Sequence, residues 1–394
     1  MIKPHGSDEL RPLYVEDVCK RRELLKKSQS IQQIIVSSAT ASNAVMLAGG
    51  YFTPLSGFMS KTDMLSVAEK MRTADGVFFP IPVANIVSSV GELTVGKEVA
   101  LLDPNIEGHP VLAVQTVSAI QKLSESEIQS IAEKVYGTVD KAHPGVATFL
   151  NQGRYVISGS IEVLNFSYFE TDFPNTFQTA KQIRAQIQAL GWKKTIAFQT
   201  RNPMHLAHEE LCKIAMREVE ADGCIIHMLL GKVKSDDIPA EVRDQAINVM
   251  VEKYFDTNSV LVSGYGFDML YAGPREAVLH ALFRQNMGAS HFIIGRDHAG
   301  VGSYYGDFDS QKIFEQQVPK NALDIAIFNA DHTAYSKKLG KVVMMKDVEN
   351  HQLDDFILLS GRKVREMLCN GELPPPEFSR PEVARVLMEY YQSL

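Results

Sequence analysis

Residues 199–209 read Gln-Thr-Arg-Asn-Pro-Met-His-Leu-Ala-His-Glu and bring together side chains that could act on a phosphate group. They follow an apolar run with strand character and precede a helical pattern, which predicts a strand–turn–helix junction. Free backbone N–H groups and the positive end of the helix dipole favour anions at such a junction. Arg201 adds a planar guanidinium that matches a tetrahedral oxyanion. His205 and His208 are predicted to share one face of the first helical turns. The stretch therefore indicates phosphate chemistry.

Two other segments place basic groups beside a predicted turn. Residues 295–300, Gly-Arg-Asp-His-Ala-Gly, follow an apolar run, and their glycines would let the backbone approach a ligand closely. Residues 360–365, Ser-Gly-Arg-Lys-Val-Arg, begin a helix and could form a second phosphate cradle. Composition alone explains the first segment equally well as a charged loop and the second as a basic surface turn. Both alternatives remain open at this point.

The common nucleotide and metal motifs do not fit this chain. Gly231-Lys232 lacks the upstream glycine and the hydroxyl residue of a Walker A loop. Residues 300–306 have one residue too many for a dinucleotide fingerprint and follow a late strand. Cys212 stands where a zinc protease needs its second histidine. We therefore predict neither a P-loop protein, nor a dehydrogenase, nor a metalloprotease, and we assign no metal ligands.

The composition excludes several classes of protein. A chain of 394 residues favours two or three domains, and 45% hydrophobic with 22% charged residues is typical of a soluble protein. No apolar stretch approaches the ~20 residues of a membrane span, and no secretory signal is recognisable. The net charge of −7 argues against nucleic acid or an acidic membrane as a partner. Four scattered cysteines favour a reducing cytoplasm.

The elements around these residues change character along the chain. Residues 1–170 are predicted to be mainly β and barrel-like, because short apolar runs alternate with proline and glycine. The predicted strands there are residues 78–85, 98–102, 111–117 and 154–161, with one polar helix at 121–136. A turn-rich loop near residues 171–175 marks the expected domain boundary.

Residues 171–330 alternate helix and apolar strand, which predicts a parallel sheet covered on both faces. The predicted helices are 177–190, 203–220, 240–255, 274–287 and 311–317. The predicted strands are 195–199, 224–230, 260–263, 291–294 and 323–328. Ligands bind beyond the carboxyl ends of such strands, where residues 199–209 and 295–300 both lie.

Residues 331–394 form a third, smaller region that ends in a helix at 381–391. We interpret residues 271–276, Tyr-Ala-Gly-Pro-Arg-Glu, as an architectural turn, with Arg275 a weaker site candidate.

Residues 199–208 and 295–300 together resemble the ATP sulfurylase (sulfate adenylyltransferase) family, in its bacterial and archaeal single-function form. The resemblance extends along the chain through residues 52–59, 79–82 and 272–277. It implies an α/β protein with a PUA-like β-barrel N-terminal domain (1–170), a Rossmann-like nucleotidyltransferase domain (171–330) and a small C-terminal α/β subdomain (331–394). The implied reaction joins ATP and sulfate into adenosine 5′-phosphosulfate and diphosphate. It is reversible and can run toward ATP in sulfur oxidation.

The resemblance also implies roles for individual residues. Sulfate would be held by Gln199, Arg201 and the backbone of Ala299. The catalytic group would comprise Thr200, Arg201, Asn202, His205 and His208. The nucleotide would contact Gln199, Asn202, His205, His208, Gly295, Arg296, Asp297 and His298. Because sulfate is a very weak base, orientation and charge neutralisation replace a general base.

The expected cofactor is Mg²⁺ delivered with ATP. No zinc is expected, because residues 335–339, Tyr-Ser-Lys-Lys-Leu, lack the Cys-x-x-Cys of many relatives. Residues 360–362 read Ser-Gly-Arg where the family has Ser-Gly-Thr, which leaves the roles of Arg362 and Arg365 open. The family suggests a homo-oligomer, most simply a dimer.

Two other functions remain as alternatives. One is an adenylyl- or cytidylyltransferase for a different acceptor, since the two-histidine junction recurs in nucleotidyltransferases. Gln199 and Arg201 beside the turn favour sulfate over that reading. The other is an RNA-binding protein, which the barrel-like N-terminal region suggests. The acidic net charge and the lack of interleaved basic and aromatic residues weigh against it.

Overall fold

The computed structural model describes residues 1–234 and 237–394. Its N-terminal region is built on one sheet whose strands are β1 (Gln32–Ile35), β2 (Gly57–Phe58), β3 (Ile86–Val87), β4 (Glu98–Leu102), β5 (Val111–Thr116), β6 (Ala119–Lys122) and β7 (Tyr155–Val163). The order is β1-β4-β5-β7-β2, and β3 and β6 also pair with β7. Its helices are α1 (Val18–Ser28), α2 (Ser38–Ala48), α3 (Lys61–Lys70), α4 (Glu125–Tyr136) and α5 (Pro144–Leu150). The long strand β7 thus joins most of the sheet.

Two predictions for this region were wrong. Residues 78–85 form no regular strand, because Pro80 and Pro82 cannot donate to a ladder; only the short β3 follows them. The helix predicted at 121–136 begins at Glu125 instead. Ser124 caps it, and the N–H of Ser124 in turn donates to the Glu127 carboxylate, so this reciprocal capping box fixes the start. The residues before the cap form β6.

The predicted parallel sheet is confirmed. Its strands are β8 (Thr195–Thr200), β9 (Gly223–Leu229), β10 (Val260–Tyr265), β11 (His291–Ile294) and β12 (Ala326–Asn329). They pair in parallel in the order β10-β9-β8-β11-β12. The helices are α6 (Phe169–Asp172), α7 (Ala180–Ala189), α8 (Leu206–Glu218), α9 (Ala240–Tyr254), α10 (Gly273–Asn286) and α11 (Asp309–Gln316). Every residue of β9 is buried, as expected for a strand covered on both faces.

Two element boundaries in this part differ from prediction in ways that affect the site. The helix predicted from residue 203 begins at Leu206, because His205 has an extended backbone and Pro203 lies in the turn before it. The last strand, predicted at 323–328, occupies Ala326–Asn329. Its carboxyl end therefore reaches further along the chain than predicted.

Helix α10 lies between the N-terminal region and the parallel sheet. All of its residues except Pro274 are buried. Arg275 donates to the carbonyl oxygens of Val67, Ala68 and Pro80 in the N-terminal region. Arg275 is thus a brace between the two regions and does not line the candidate site. A helix buried on all sides is part of the protein interior.

The C-terminal region contains a small antiparallel sheet and two helices. The strands are β13 (Thr333–Ser336), β14 (Lys341–Met344) and β15 (Phe356–Ile357), in the order β14-β13-β15, and the helices are α12 (Gly361–Cys369) and α13 (Pro381–Gln392). Helix α13 packs against α9, and the Tyr254 hydroxyl donates to the Glu382 carboxylate at 2.6 Å. Within the described residues, no helix combines the length and apolar character that crossing a bilayer requires.

Candidate active site

The turn after β8 is shaped by its own polar side chains. The Thr200 hydroxyl donates to the Asn202 carbonyl at 2.7 Å and accepts the Asn202 N–H at 3.1 Å. This pair of bonds folds the chain back on itself between the strand and the helix. Arg201 extends from the turn, and its Nη2 donates to the Gly300 carbonyl at 2.8 Å. The turn is therefore tied to the loop that follows β11.

His205 and His208 stand together where α8 begins. The backbone N–H of His205 donates to Nδ1 of His208 at 3.3 Å, and the ring centroids are 4.0 Å apart. Because Nδ1 accepts this bond, the proton of neutral His208 lies on Nε2. Phe378 also stacks on the His205 ring, with 4.8 Å between centroids. Both imidazoles are thus held in one orientation.

Helix α8 is also held from the C-terminal region. Arg380 forms two bonds with the buried Glu209 carboxylate, at 2.9 and 2.8 Å, and Lys213 contacts the same group at 2.6 Å. The backbone N–H of Leu206 donates to the Phe378 carbonyl. The segment around residues 378–380 therefore fixes the first turn of the helix that carries the histidines.

The loop 295–300 lies opposite this helix. Asp297 and Ala299 have φ angles of 52° and 59°, in the left-handed region that non-glycine residues seldom occupy. The loop is held by the bond from the Asp297 N–H to the Asp307 carbonyl, at 2.8 Å, and by the Ser310 hydroxyl on the His298 carbonyl, at 2.7 Å. Its shape is imposed by contacts from outside, as is common at ligand-binding loops.

The two segments line one cavity of about 280 Å³. All of the predicted site residues border it: Gln199, Thr200, Arg201, Asn202, His205, His208, Gly295, Arg296, Asp297, His298 and Ala299. The cavity lies beyond the carboxyl ends of β8 and β11, where ligands bind in open parallel sheets. The structure thus brings the predicted residues together.

Burial controls the charges in this cavity. It lowers the pKa of His208 to about 4, and burial together with the neighbouring His208 holds the pKa of His205 well below its ordinary value. Burial also raises the pKa of Asp297. Both imidazoles are therefore neutral near pH 7, and each carries one ring N–H that can donate a hydrogen bond. Arg201 is left as the main cation on this side of the cavity.

Residues 331–333, Asp-His-Thr, also line the cavity and were not predicted. They follow β12, the edge neighbour of β11. The carboxyl-end rule that pointed to residues 295–300 applies equally to this strand. The sequence therefore contains a signal for these residues, namely their place just after the fifth apolar strand.

The segment 360–365 has a different position. Ser360 caps α12 by accepting the Lys363 N–H at 3.2 Å, as its hydroxyl suggested. Arg362 and Lys363 are exposed and do not border the 280 Å³ cavity. Gly361 and Arg365 instead line a second cavity of about 340 Å³, which shares Asn202 and the two histidines with the first.

In residues 1–234 and 237–394, no group of three or more His, Cys, Asp or Glu residues is arranged to hold a metal ion. Asp297 and Asp331 are the two carboxylates on the border of the main cavity.

Known protein families match both halves of the chain. The ATP-sulfurylase family model matches residues 174–390, and a PUA-like domain model matches residues 2–166. The sulfate adenylyltransferase of Alcanivorax borkumensis is 60% identical over 394 residues, which covers 100% of this chain and 98% of the relative. That of Allochromatium vinosum is 62% identical, covering 100% of this chain and 99% of the relative.

A solved structure named hexameric APS kinase from Thiobacillus denitrificans has the same fold. Its TM-score is 0.76 at 21% identity, over 99% of this chain and 68% of that one. At this identity the likeness concerns the fold alone. The family model covers more than half of the chain and the sequence relatives match it from end to end, so the chain belongs to the ATP-sulfurylase family.

Proposed function

We propose that this chain is a sulfate adenylyltransferase, which converts ATP and sulfate into adenosine 5′-phosphosulfate and diphosphate. One observation carries the proposal: residues from two distant segments, 199–208 and 295–299, border a single cavity of about 280 Å³. Relatives that are 60% and 62% identical over their whole length have the same activity in their names. Residue identity and cavity geometry thus support the same reaction.

Arg201 is the centre of the proposed sulfate site. Its Nη2 is used by the Gly300 carbonyl, whereas Nη1 is buried and has no hydrogen-bond partner among the described residues. Nε2 of Gln199 is likewise buried and has no hydrogen-bond partner among the described residues. Buried donors without partners are costly, and an anion that accepts from both would remove the cost. With the backbone of Ala299, these two side chains would hold sulfate.

The histidines would act on the other reactant. His205 and His208 are at the start of α8, where the positive end of the helix dipole would attract the phosphates of ATP. Neutral His208 would present its Nε2 proton to a phosphate oxygen. These donors stabilise the charge that builds on the departing diphosphate, and Thr200 and Asn202 keep the turn in shape. Residues 295–298 would hold the nucleotide.

The proposed reaction is a direct in-line attack of a sulfate oxygen on the α-phosphorus. The new S–O–P bond forms as the bond to diphosphate breaks, and no proton needs to be removed. Catalysis therefore consists of aligning two mutually repelling anions and offsetting their charge. Mg²⁺ would enter with the ATP phosphates and neutralise part of that charge.

Several finer features belong to the same proposal. We infer that residues 171–330 are a Rossmann-like nucleotidyltransferase domain and residues 331–394 a separate small subdomain. The parallel order β10-β9-β8-β11-β12 and the separate antiparallel sheet support this division. A homodimer and a cytoplasmic location remain predictions. Analytical ultracentrifugation of the full chain would measure the number of subunits.

Incubation with MgATP and molybdate tests the activity. Molybdate replaces sulfate but gives an unstable mixed anhydride, so the protein should convert ATP into AMP and diphosphate. Sulfate should inhibit this cleavage by competition. If ATP is left intact with molybdate and with sulfate, yet is consumed with another acceptor such as a nucleotide or a phosphosugar, the sulfate assignment is wrong.

A further inference from the structure

Arg201 is held in an unusual way for a residue that binds an anion. Within the described residues, no carboxylate lies close enough to form an ion pair with it. Its guanidinium carbon instead lies 4.9 Å from the centre of the Tyr271 ring. A carboxylate would hold the side chain but cancel its charge. An aromatic face attracts the cation through the ring quadrupole and leaves the charge available to an anion.

The position of Tyr271 is itself fixed by bonds at both ends of the residue. Its hydroxyl accepts the Lys234 N–H at 2.7 Å and donates to Asp237 at 3.2 Å. Its carbonyl lies 3.0 Å from Nε2 of His143 and 3.0 Å from the Tyr305 hydroxyl. The ring therefore cannot turn away from Arg201 without breaking both hydroxyl bonds, while the carbonyl contacts hold the backbone from which it projects.

The backbone of Tyr271 supports the same interpretation. Its φ of 59° lies in the left-handed region, which a bulky side chain rarely adopts. The flanking N–H groups of Leu270 and Ala272 donate to the buried carboxylate of Glu276, at 3.0 and 2.9 Å. Strain of this kind persists only where surrounding contacts enforce it, and it is concentrated at functional sites. Helix α10 supplies that enforcement through Glu276.

We propose that Tyr271 is a positioning residue for Arg201 that sets the affinity for sulfate by holding the guanidinium without neutralising it. The inference rests on the proposed function and deepens it. In this arrangement Nη2 of Arg201 donates to the Gly300 carbonyl, and the Tyr271 ring contacts one face of the guanidinium. Nη1 of Arg201 remains to donate to the oxyanion. Neither Tyr271 nor Glu276 touches the reacting atoms in this scheme.

The proposal is tested by weakening the quadrupole of the aromatic ring at position 271 while its shape is kept. Tyr271→Phe keeps the ring and loses the hydroxyl bonds, whereas replacement by 3,4,5-trifluorophenylalanine keeps the shape but weakens the quadrupole. The affinity for sulfate, measured calorimetrically in the presence of a non-cleavable ATP analogue, should fall about tenfold from the Phe to the trifluoro variant. The KM for MgATP and the melting temperature should change little between these two proteins.

The controls separate positioning from a purely structural role. Tyr304→Phe removes the hydroxyl of a partly exposed tyrosine that bonds to Asp140, and this variant should bind sulfate as the wild type does. In the Arg201→Gln background, the Phe and trifluoro variants should differ by less than about twofold in sulfate affinity, because no cation is left to interact with the ring. Equal sulfate affinities of the Phe and trifluoro proteins would overturn the proposal. A wild-type protein that forms no adenosine phosphosulfate would instead overturn the proposed function.

Discussion

Two strand–turn–helix junctions of this chain share their local ingredients but not their surroundings. The first joins β8 to α8, and the second joins β15 to α12. Each places a hydroxyl residue and an arginine just before or within the first helical turn. At the first, Thr200 is buried and Arg201 is partly buried, whereas at the second Ser360 and Arg362 are exposed. Similar residues thus lie in an enclosed turn at the first junction, whereas at the second junction they are exposed at the start of a helix.

The sheet explains the difference. Strand β8 is central, with β9 on one side and β11 on the other, so its carboxyl end opens between neighbouring loops. Strand β15 has only two residues and pairs at the edge of a three-stranded sheet. A helix start with basic residues is therefore common to both, but only the central strand supplies opposing loops that enclose a ligand. Neighbouring strands decide whether such a junction becomes a site.

The largest effect should separate the arginines of the two junctions. Arg201→Ala should lower kcat/KM for sulfate by at least about 10³-fold, because it removes the main cation facing two anions. Arg362→Ala should stay within about twofold of the wild type. Steady-state formation of adenosine phosphosulfate measures both, and circular dichroism checks that both proteins fold. Comparable losses in the two variants would show that the second junction also takes part in the reaction.

A smaller loss is expected from the imidazoles of the first junction. His205→Ala and His208→Ala should each lower kcat by about 10²-fold, since each removes a donor to the departing diphosphate. Their dissociation constants for ATP should rise only slightly. Single-turnover kinetics combined with ATP titration separates the two quantities. A variant that loses ATP affinity while keeping its kcat would assign that histidine to ground-state binding instead.

The smallest effect concerns how each helix is held. Arg380→Ala should lower the free energy of unfolding by about 2 kcal/mol, because the fully buried Glu209 loses its bidentate partner and keeps only Lys213. The matched variant on α12, Lys363→Ala, breaks an exposed pair with Glu366 and should change it by less than about 0.5 kcal/mol. Urea denaturation of the two proteins provides the measurement. If the free energy of unfolding falls by the same small amount in both variants, the Arg380–Glu209 pair does not anchor α8.

The sequence was sufficient for the parallel sheet and for one cluster of site residues. Apolar strands between helices have few arrangements, and the carboxyl-end rule then placed residues 199–208 and 295–299 together. The same rule also covers residues 331–333, which follow β12 and line the cavity, although the sequence prediction does not include them. Pro80 and Pro82 were read as part of a strand although they lack the donor that a ladder needs.

The contacts of Tyr271 had no comparable signal. The turn at 271–276 was interpreted as architectural, and Arg275 does brace the two regions. The stacking of Arg201 on Tyr271, however, joins residues 70 positions apart across the cavity wall. No local periodicity reports such a contact. It depends on the positive φ of Tyr271, which is maintained by tertiary contacts such as the bonds to Glu276.

Burial of α10 has a consequence for how the molecule can be divided. Asn286 donates to the Tyr51 and Thr53 carbonyls, and Arg275 donates to three other carbonyls of the N-terminal region. If the parallel sheet and α10 were expressed without that region, these two side chains would lose their acceptors and would either stay buried without partners or become exposed to water. One continuous apolar cluster also runs through both parts. The PUA-like portion is therefore not a separable accessory, because it supplies the carbonyl acceptors and apolar contacts on which α10 depends.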